Sequence, residues 1–500
     1  MSQQDSKARV FSARLARKPS RAGVIAGLSV PSLIVVGVGV APALIAAMVG
    51  QPLAGLAIAV IWGVPLSILG IGHYQGRSYV QIAWAWTLFT VRKVTGQTHV
   101  IVPPDARRAV TDHRLTIPGA VGERIHMLSI VGVPKMAGAA YLWDAAERTA
   151  SVVLRFAGDS FKYADVDARN NRAAYVSEVA REIADMQGVT QIALHARNLP
   201  AGTTHLPVPP SVLGDDLEAS VVELASWEKQ DLEDHEYISG AWKRDVLVTI
   251  TVSADKAKKR IAAGGGGQMG LSKLLVEHVH RLHALLNQCG VNAAATRWLS
   301  ARQIHGAMAQ VFDLDAAYDL DPDGGLDVGG ILTGSLSENP DYVVTDSAFH
   351  RSWWVPGWPP YPVDAGFLSE LVAGGSLPHT VTQIWEGVTL EKSESRQQTR
   401  EQSIEDRQRT NQKLGRPQKA DFAIEQREVN KMRGDLMAGY GEMNHLTLIT
   451  VHARTIDQLE EANQWLRTST PGMRVAVARG QQWATFVACA LPLGIGRQRR

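Results

Sequence analysis

From Ala22 to Gly76 the chain carries no Asp, Glu, Lys or Arg, and His73 is the only side chain there that titrates near neutrality. Two apolar stretches lie inside this window, about Leu28–Val49 and Pro52–Gly72. As helices each spans roughly 30 Å, the thickness of a bilayer's hydrocarbon core. Only Gly50-Gln51 separates them, which predicts a tight helical hairpin. Pro42 and Pro65 predict kinks. A cleaved signal peptide is a poor fit, because both runs are too long and a second follows directly.

Each stretch carries small residues at every fourth position: Gly39, Ala43 and Ala47 in the first, Gly55, Ala59 and Gly63 in the second. Such stripes let helices approach closely in lipid, so these six residues are the candidate packing surface. Before the first stretch stand Lys7, Arg9, Arg14, Arg17, Lys18 and Arg21 against Asp5; after the second come Arg77, Arg92 and Lys93. The positive-inside rule then places both termini in the cytoplasm of a multi-pass protein of the plasma (inner) membrane. Residues Tyr79–Val94 read as an amphipathic helix at the lipid surface, anchored by Trp84, Trp86, Arg92 and Lys93.

After Gln97 the texture is that of an α+β protein. A strand–helix–strand pattern recurs. The first copy has Ser151–Ala157, a helix around Asn171–Met186, and Val189–His195. The second has Val246–Val252, a helix over about Leu271–Asn287 burying Leu275, Val279, Leu282 and Leu286, and Val291–Trp298; Ser300 and Gln303 then form a capping box. The third has Trp353–Trp358, a helix near Ala365–Val372, and Val381–Trp385. The fourth has Leu446–His452, a helix opened by Thr455 and Gln458, Met473–Ala478, and a short helix Gln482–Ala490. The expected fold class is α+β: a transmembrane helical hairpin, then split β-α-β (ferredoxin-like) units with helices on one face of an antiparallel sheet. Glu391–Leu414 and Gln418–Met437 are charge-rich and broken by Gly415-Arg416-Pro417, which predicts a helical arm. The expected divisions are a basic tail at 1–21, the two-helix anchor and surface helix at 22–98, α+β repeats at 99–390, the arm at 391–440 and a C-terminal α+β unit at 441–500.

No catalytic, cofactor or metal site is assigned. A P-loop needs Gly-Lys-Ser/Thr; in Gly264–Lys273 the lysine follows Ser272 and Leu274 takes the hydroxyl position. Asp319, Asp321, Asp323, Gly324 and Asp327 open like a calcium loop, but Gly330 stands where the bidentate Glu belongs. His278, His280 and His283 lack the i, i+4 spacing of helix-borne zinc ligands. Trp353, Trp354 and Trp358 read as packing residues. Two cysteines exclude a disulfide scaffold and any four-cysteine metal centre. A net charge of +2, from 51 basic and 49 acidic residues, argues against a nucleic-acid coat.

The hairpin with its Trp-bearing helix resembles the small membrane subunit of conjugative (type IV) secretion systems. The remainder resembles the pre-motor domain of the conjugative transfer ATPase family. That likeness is carried by His278–Phe312, by His350–Pro359, and by Leu446–Val451 with Ala488-Cys489-Ala490-Leu491-Pro492-Leu493-Gly494. It implies a non-enzymatic scaffold in a DNA-transfer machine, oligomeric within the complex and touching nucleic acid only indirectly. Its partners would be a separate hexameric motor ATPase and other membrane subunits. A second resemblance is to the type VII secretion membrane component that pairs a two-helix anchor with a cytoplasmic α/β domain. A membrane-bound transferase is the third reading.

Overall fold

The computed structural model describes residues 30–74, 77–101, 115, 117–136, 138–156, 186–200, 242–288, 296–314, 332–359, 367–375, 377–388, 390–413 and 443–496, with isolated positions at 182, 426, 429, 430, 433 and 434. The basic tail, most of the 171–186 helix, the Asp319–Asp327 run and most of the second arm helix lie outside them.

The described residues begin with two apolar helices, α1 (Val30–Met48) and α2 (Pro52–Ile71). Gly50 adopts φ +83° and Gln51 N–H reaches back to Ala46 O, closing α1 with a Schellman turn. Pro52 then starts α2, where its missing N–H costs nothing. Within α2 the turn Ala59–Gly63 is π-helical, with Val64 N–H donating to Ala59 O. The wide turn lies directly before Pro65, whose ring would clash with a tighter one. Of the two, only Pro52–Ile71 meets the length and composition needed to cross a membrane; Ser32–Met48 is a shorter apolar helix. Helix α3 (Tyr79–Val94) follows, opened by a Ser78–Gln81 capping box.

The body is built on one antiparallel sheet of thirteen strands among the described residues. Its elements are β1 (His99–Ile101), β2 (Ile125–Ser129), β3 (Ala140–Asp144), β4 (Thr149–Phe156), β5 (Val189–Pro200), β6 (Trp242–Ser253), α4 (Gly267–Gln288), β7 (Arg297–Trp298) and α5 (Ala301–Phe312). Then come β8 (Ser335–Glu338), β9 (Val343–Val344), β10 (Phe349–Gly357), α6 (Ser369–Ala373), β11 (His379–Gly387), α7 (Leu390–Lys413), β12 (Met443–Ala453), α8 (Ile456–Ser469), β13 (Arg474–Val477) and α9 (Gln482–Ala490). The strand order is β1-β8-β9-β10-β12-β11-β5-β6-β4-β3-β2, with β13 also on β10 and β7 also on β4.

That order contains the same unit twice. In the first, β7-β4-β6-β5 lie side by side; in the second, β13-β10-β12-β11 do. Numbered along each unit, both read fourth, first, third, second, the split β-α-β arrangement. The four copies of the sequence pattern are thus halves of two units. Each unit is preceded by a β-hairpin (β2-β3, β8-β9) and followed by a helix (α5, α9). The units join edge to edge through β5 and β11, from His379 opposite Asn198 to Trp385 opposite Ile192.

Helices cover both faces of the sheet, not one as expected. On one face α4 buries Leu271, Leu274, Leu275, Val279 and Leu282 against Val152, Leu154, Ile250 and Val252. Helix α8 buries Ala462 and Leu466 there against Trp353, Val381, Ile449 and Val451. Each such leucine, fully buried, contributes about 2 kcal/mol. On the other face α5 and α9 meet, with Phe312 and Phe486 ring centroids 5.6 Å apart. All of Gln303–Phe312 is buried, because α5 is enclosed by sheet and helix together. The C-terminal Leu491 and Leu493 return to the first unit, where Gly494 O accepts from Thr251 Oγ1 and Gln191 Nε2. Two halves therefore share one core.

Candidate functional site: the junction between the apolar helices and the sheet

Helices α1 and α2 touch through residues too small to hold them apart. A methyl group placed on Gly39 would lie 2.9 Å from Leu66 Cβ, and one on Gly63 would lie 3.0 Å from Gly39 O. One on Gly55 would lie 2.9 Å from Ala43 O and 3.2 Å from Ala47 N; one on Gly63 reaches Ala59 Cβ only at 4.0 Å. The contact extends beyond the six candidate residues. A methyl group on Gly70 would lie 2.6 Å from Val36 Cγ2 and 2.9 Å from Ser32 O, a pairing the fourfold spacing did not single out.

The outside of this pair is greasy. Apart from Val131, Met269 and Ile456, every exposed large hydrophobic residue among the described residues lies between Ile34 and Ile101. Soluble surfaces scatter such residues singly; concentration in one region marks contact with something apolar.

Helix α3 is joined to α2 without slack, because Tyr79 N–H donates to Gly72 O at 3.0 Å. Its inner face, Ala85 and Phe89, is buried. Ala85 O lies close to Gly480, whose φ of +69° calls for glycine. The two ends of α3 are tied to the body by arginines. Arg77, just before the helix, lies over the Trp354 ring, 4.8 Å from its centroid. Arg92, in the last turn, donates from Nη1 to Glu338 Oε2 at 2.7 Å and from Nη2 to Gly480 O at 3.0 Å. Arg92 therefore reaches into the body rather than outward. Lys93 stays exposed, as do Trp84 and Trp86.

Glu338 is the pivot. It ends β8, its side chain is 2% exposed, and its Oε1 accepts from Trp483 N–H at 3.1 Å. It thus caps α9, whose N-cap residue Gln481 makes no side-chain cap of its own. Burial raises the carboxyl above its usual range, opposed by Arg92 and the α9 amides. No local motif announced Glu338, because its partner is 246 positions away.

Behind this junction runs a buried polar row. His350 Nδ1 meets His452 Nδ1 at 2.9 Å, His350 Nε2 meets Thr345 Oγ1 at 2.9 Å, and His195 Nδ1 meets Thr382 Oγ1 and Cys489 O, each at 2.9 Å. Burial lowers His195 to about 4 and depresses both members of the His350–His452 pair, so all three are neutral imidazoles at pH 7.

The glycine-rich stretch turns on Gly265, Gly266 and Gly267, with φ of +112°, +71° and +51°. Lys273 Nζ donates back to Gly264 O at 3.0 Å and Ser272 Oγ accepts from Val131 N–H at 3.1 Å, so both are spent on structure. A surface pocket of about 470 Å³ adjoins the loop, lined by Tyr141, Arg148, Lys258 and Gln268 among others. His278 shares a hydrogen bond with Gln187 O, while His280 is exposed. Trp353 and Trp354 are buried, and Trp358 packs on Phe367 and His445.

A comparison with curated proteins finds no match. A family model described as "Putative type VII ESX secretion system translocon, EccE" matches residues 241–355, from the start of β6 into β10. This overturns the type IV resemblance, and with it conjugation and DNA transfer. The match runs through His278–Phe312 and into His350–Pro359, two of the three segments that carried the earlier likeness. Helix, strand and capped helix in succession make a diffuse pattern shared by many α+β proteins, which is why those segments misled. The chain is similar, over less than half its length, to a type VII secretion translocon family.

Proposed function

We propose that this protein is a membrane-anchored structural component of a type VII (ESX) secretion translocon. The observation that carries the reading is the family match over residues 241–355. The concentration of exposed apolar side chains between Ile34 and Ile101 supports it. In this reading α1 and α2 cross the plasma membrane as a closely packed pair with both chain termini cytoplasmic. The two-unit sheet is the cytoplasmic body, and it docks other membrane subunits of the complex. The protein performs no catalysis; an ATPase carried by a separate polypeptide drives transport.

Affinity purification of the full chain from native membranes, in mild detergent, tests this. The expected result is co-purification of other type VII secretion subunits, and loss of secretion when the gene is deleted. Recovery of the chain alone from membranes that contain an assembled type VII complex would overturn the reading. Removing residues 30–71 is expected to release the body from the membrane fraction.

A further inference from the structure

The outward face of α3 carries Ala83, Thr87, Val91 and Val94, with Trp84 and Trp86 on its shoulders. From Tyr79 to Val94 only Arg92 and Lys93 are charged, and Arg92 is drawn inward onto Glu338. Lys93 stands at the end of the helix. The face is therefore uncharged over its length. Its hydroxyls also bond back to their own helix: Thr87 Oγ1 donates to Ala83 O at 2.9 Å, Thr90 Oγ1 to Trp86 O at 2.8 Å, and Thr95 Oγ1 to Val91 O at 2.9 Å. Hydroxyls that bond back to their own helix leave methyl groups outward, an arrangement suited to surroundings without water. Yet Val91 and Val94 are 53% and 82% exposed.

We infer that this face lies in the headgroup and upper acyl region of a lipid bilayer, as a fixed part of the body rather than a flexible tether. The inference rests on the membrane reading above. Lipid is favoured over a protein partner by continuity: α3 begins one hydrogen bond away from the end of α2, so it lies where that helix leaves the bilayer. Tryptophans at the shoulders and a lysine at the end suit the boundary between hydrocarbon and water. The arginines at both ends tie the helix to Trp354 and Glu338, so the body is held against the membrane in one pose.

Nitroxide labels test this on the full chain, with Cys289→Ser as background and buried Cys489 retained. Single cysteines replace Val91, Val94, Ile61 on α2 and Glu461 on α8. Each labelled protein is placed in vesicles of phosphatidylethanolamine and phosphatidylglycerol. Accessibility to oxygen and to a water-soluble nickel chelate is then measured. The expected result is preferential oxygen access at 61, 91 and 94, shallower at 91 and 94, and preferential nickel access at 461. Nickel access at 91 and 94 with oxygen access at 61 overturns the inference and leaves the spanning pair intact. Shielding of 91 and 94 from both reagents points to a protein cover and also overturns it. Nickel access at 61 overturns both readings.

Discussion

Glu338 holds a helix start, an arginine and a strand end with one carboxylate. Glu338→Ala leaves buried Trp483 N–H without its acceptor and Arg92 with Gly480 O alone, which costs about 2 kcal/mol. The expected outcome is a clear drop in the thermal midpoint of the detergent-solubilised protein. Nothing near Glu338 in the chain announced this role, because the groups it serves come from α3 and α9. The neutral histidines carry a pH signature of their own. Their pKa values in the folded state lie below the unfolded value of about 6.5, so the unfolded chain binds more protons as the pH falls. Their contribution is intact above about pH 6.5 and is lost as the pH drops through about 4 for His195. Each depressed histidine adds up to about 1.4 kcal/mol per pH unit in that window. Chemical denaturation from pH 7 to 5 is expected to show steep loss of stability, and His195→Gln a shallower slope.

Local elements were the legible part. The span of α9, the start of α3 and the Ser300–Gln303 capping box could be read from periodicity and capping chemistry, since both are local. Ser300→Ala is expected to cost about 1 kcal/mol in an unfolding titration. Strand extents were less legible. Strand β5 runs on to Pro200 through Arg197 and Asn198, polar residues that are buried only because β11 and β6 flank them. Short strands such as β8 and β9 offer too few residues for any alternation to register. In the apolar pair, Gly63→Leu would force α1 and α2 apart, whereas Gly37 has nothing within 4 Å of a methyl group. Thermal unfolding in detergent is expected to separate the two: a drop of several degrees for Gly63→Leu and little change for Gly37→Leu. The π turn adds a register consequence. The turn takes up one extra residue, so deleting one residue from Ala59–Gly63 is expected to restore a straight α-helix and leave Gly70 facing Ser32.

The whole molecule is a duplicated unit fused through its second strands. The repetition was visible in the sequence as four diffuse copies; that they pair into two units sharing one core was not, because strand order depends on contacts between distant segments. In both halves the long connection leaves after the second strand. Pro200 pairs with Trp242, and Gly387 with Met443, so each connection starts and ends at neighbouring residues of a hairpin. Replacing residues 390–441 with a short Asn-Gly turn is therefore expected to leave the body folded, with a thermal midpoint within a few degrees of the parent. The clamp on α3 has a mechanical corollary. A pull transmitted from the bilayer arrives at β8, a strand only four residues long and second from the rim, where short strands ordinarily peel away one bond at a time. The carboxylate that receives it also grips α9, and α9 lies across β10, β12, β11 and β5. Force entering near one rim is thus shared among four strands and both halves, and the sheet resists as a plate rather than a zipper.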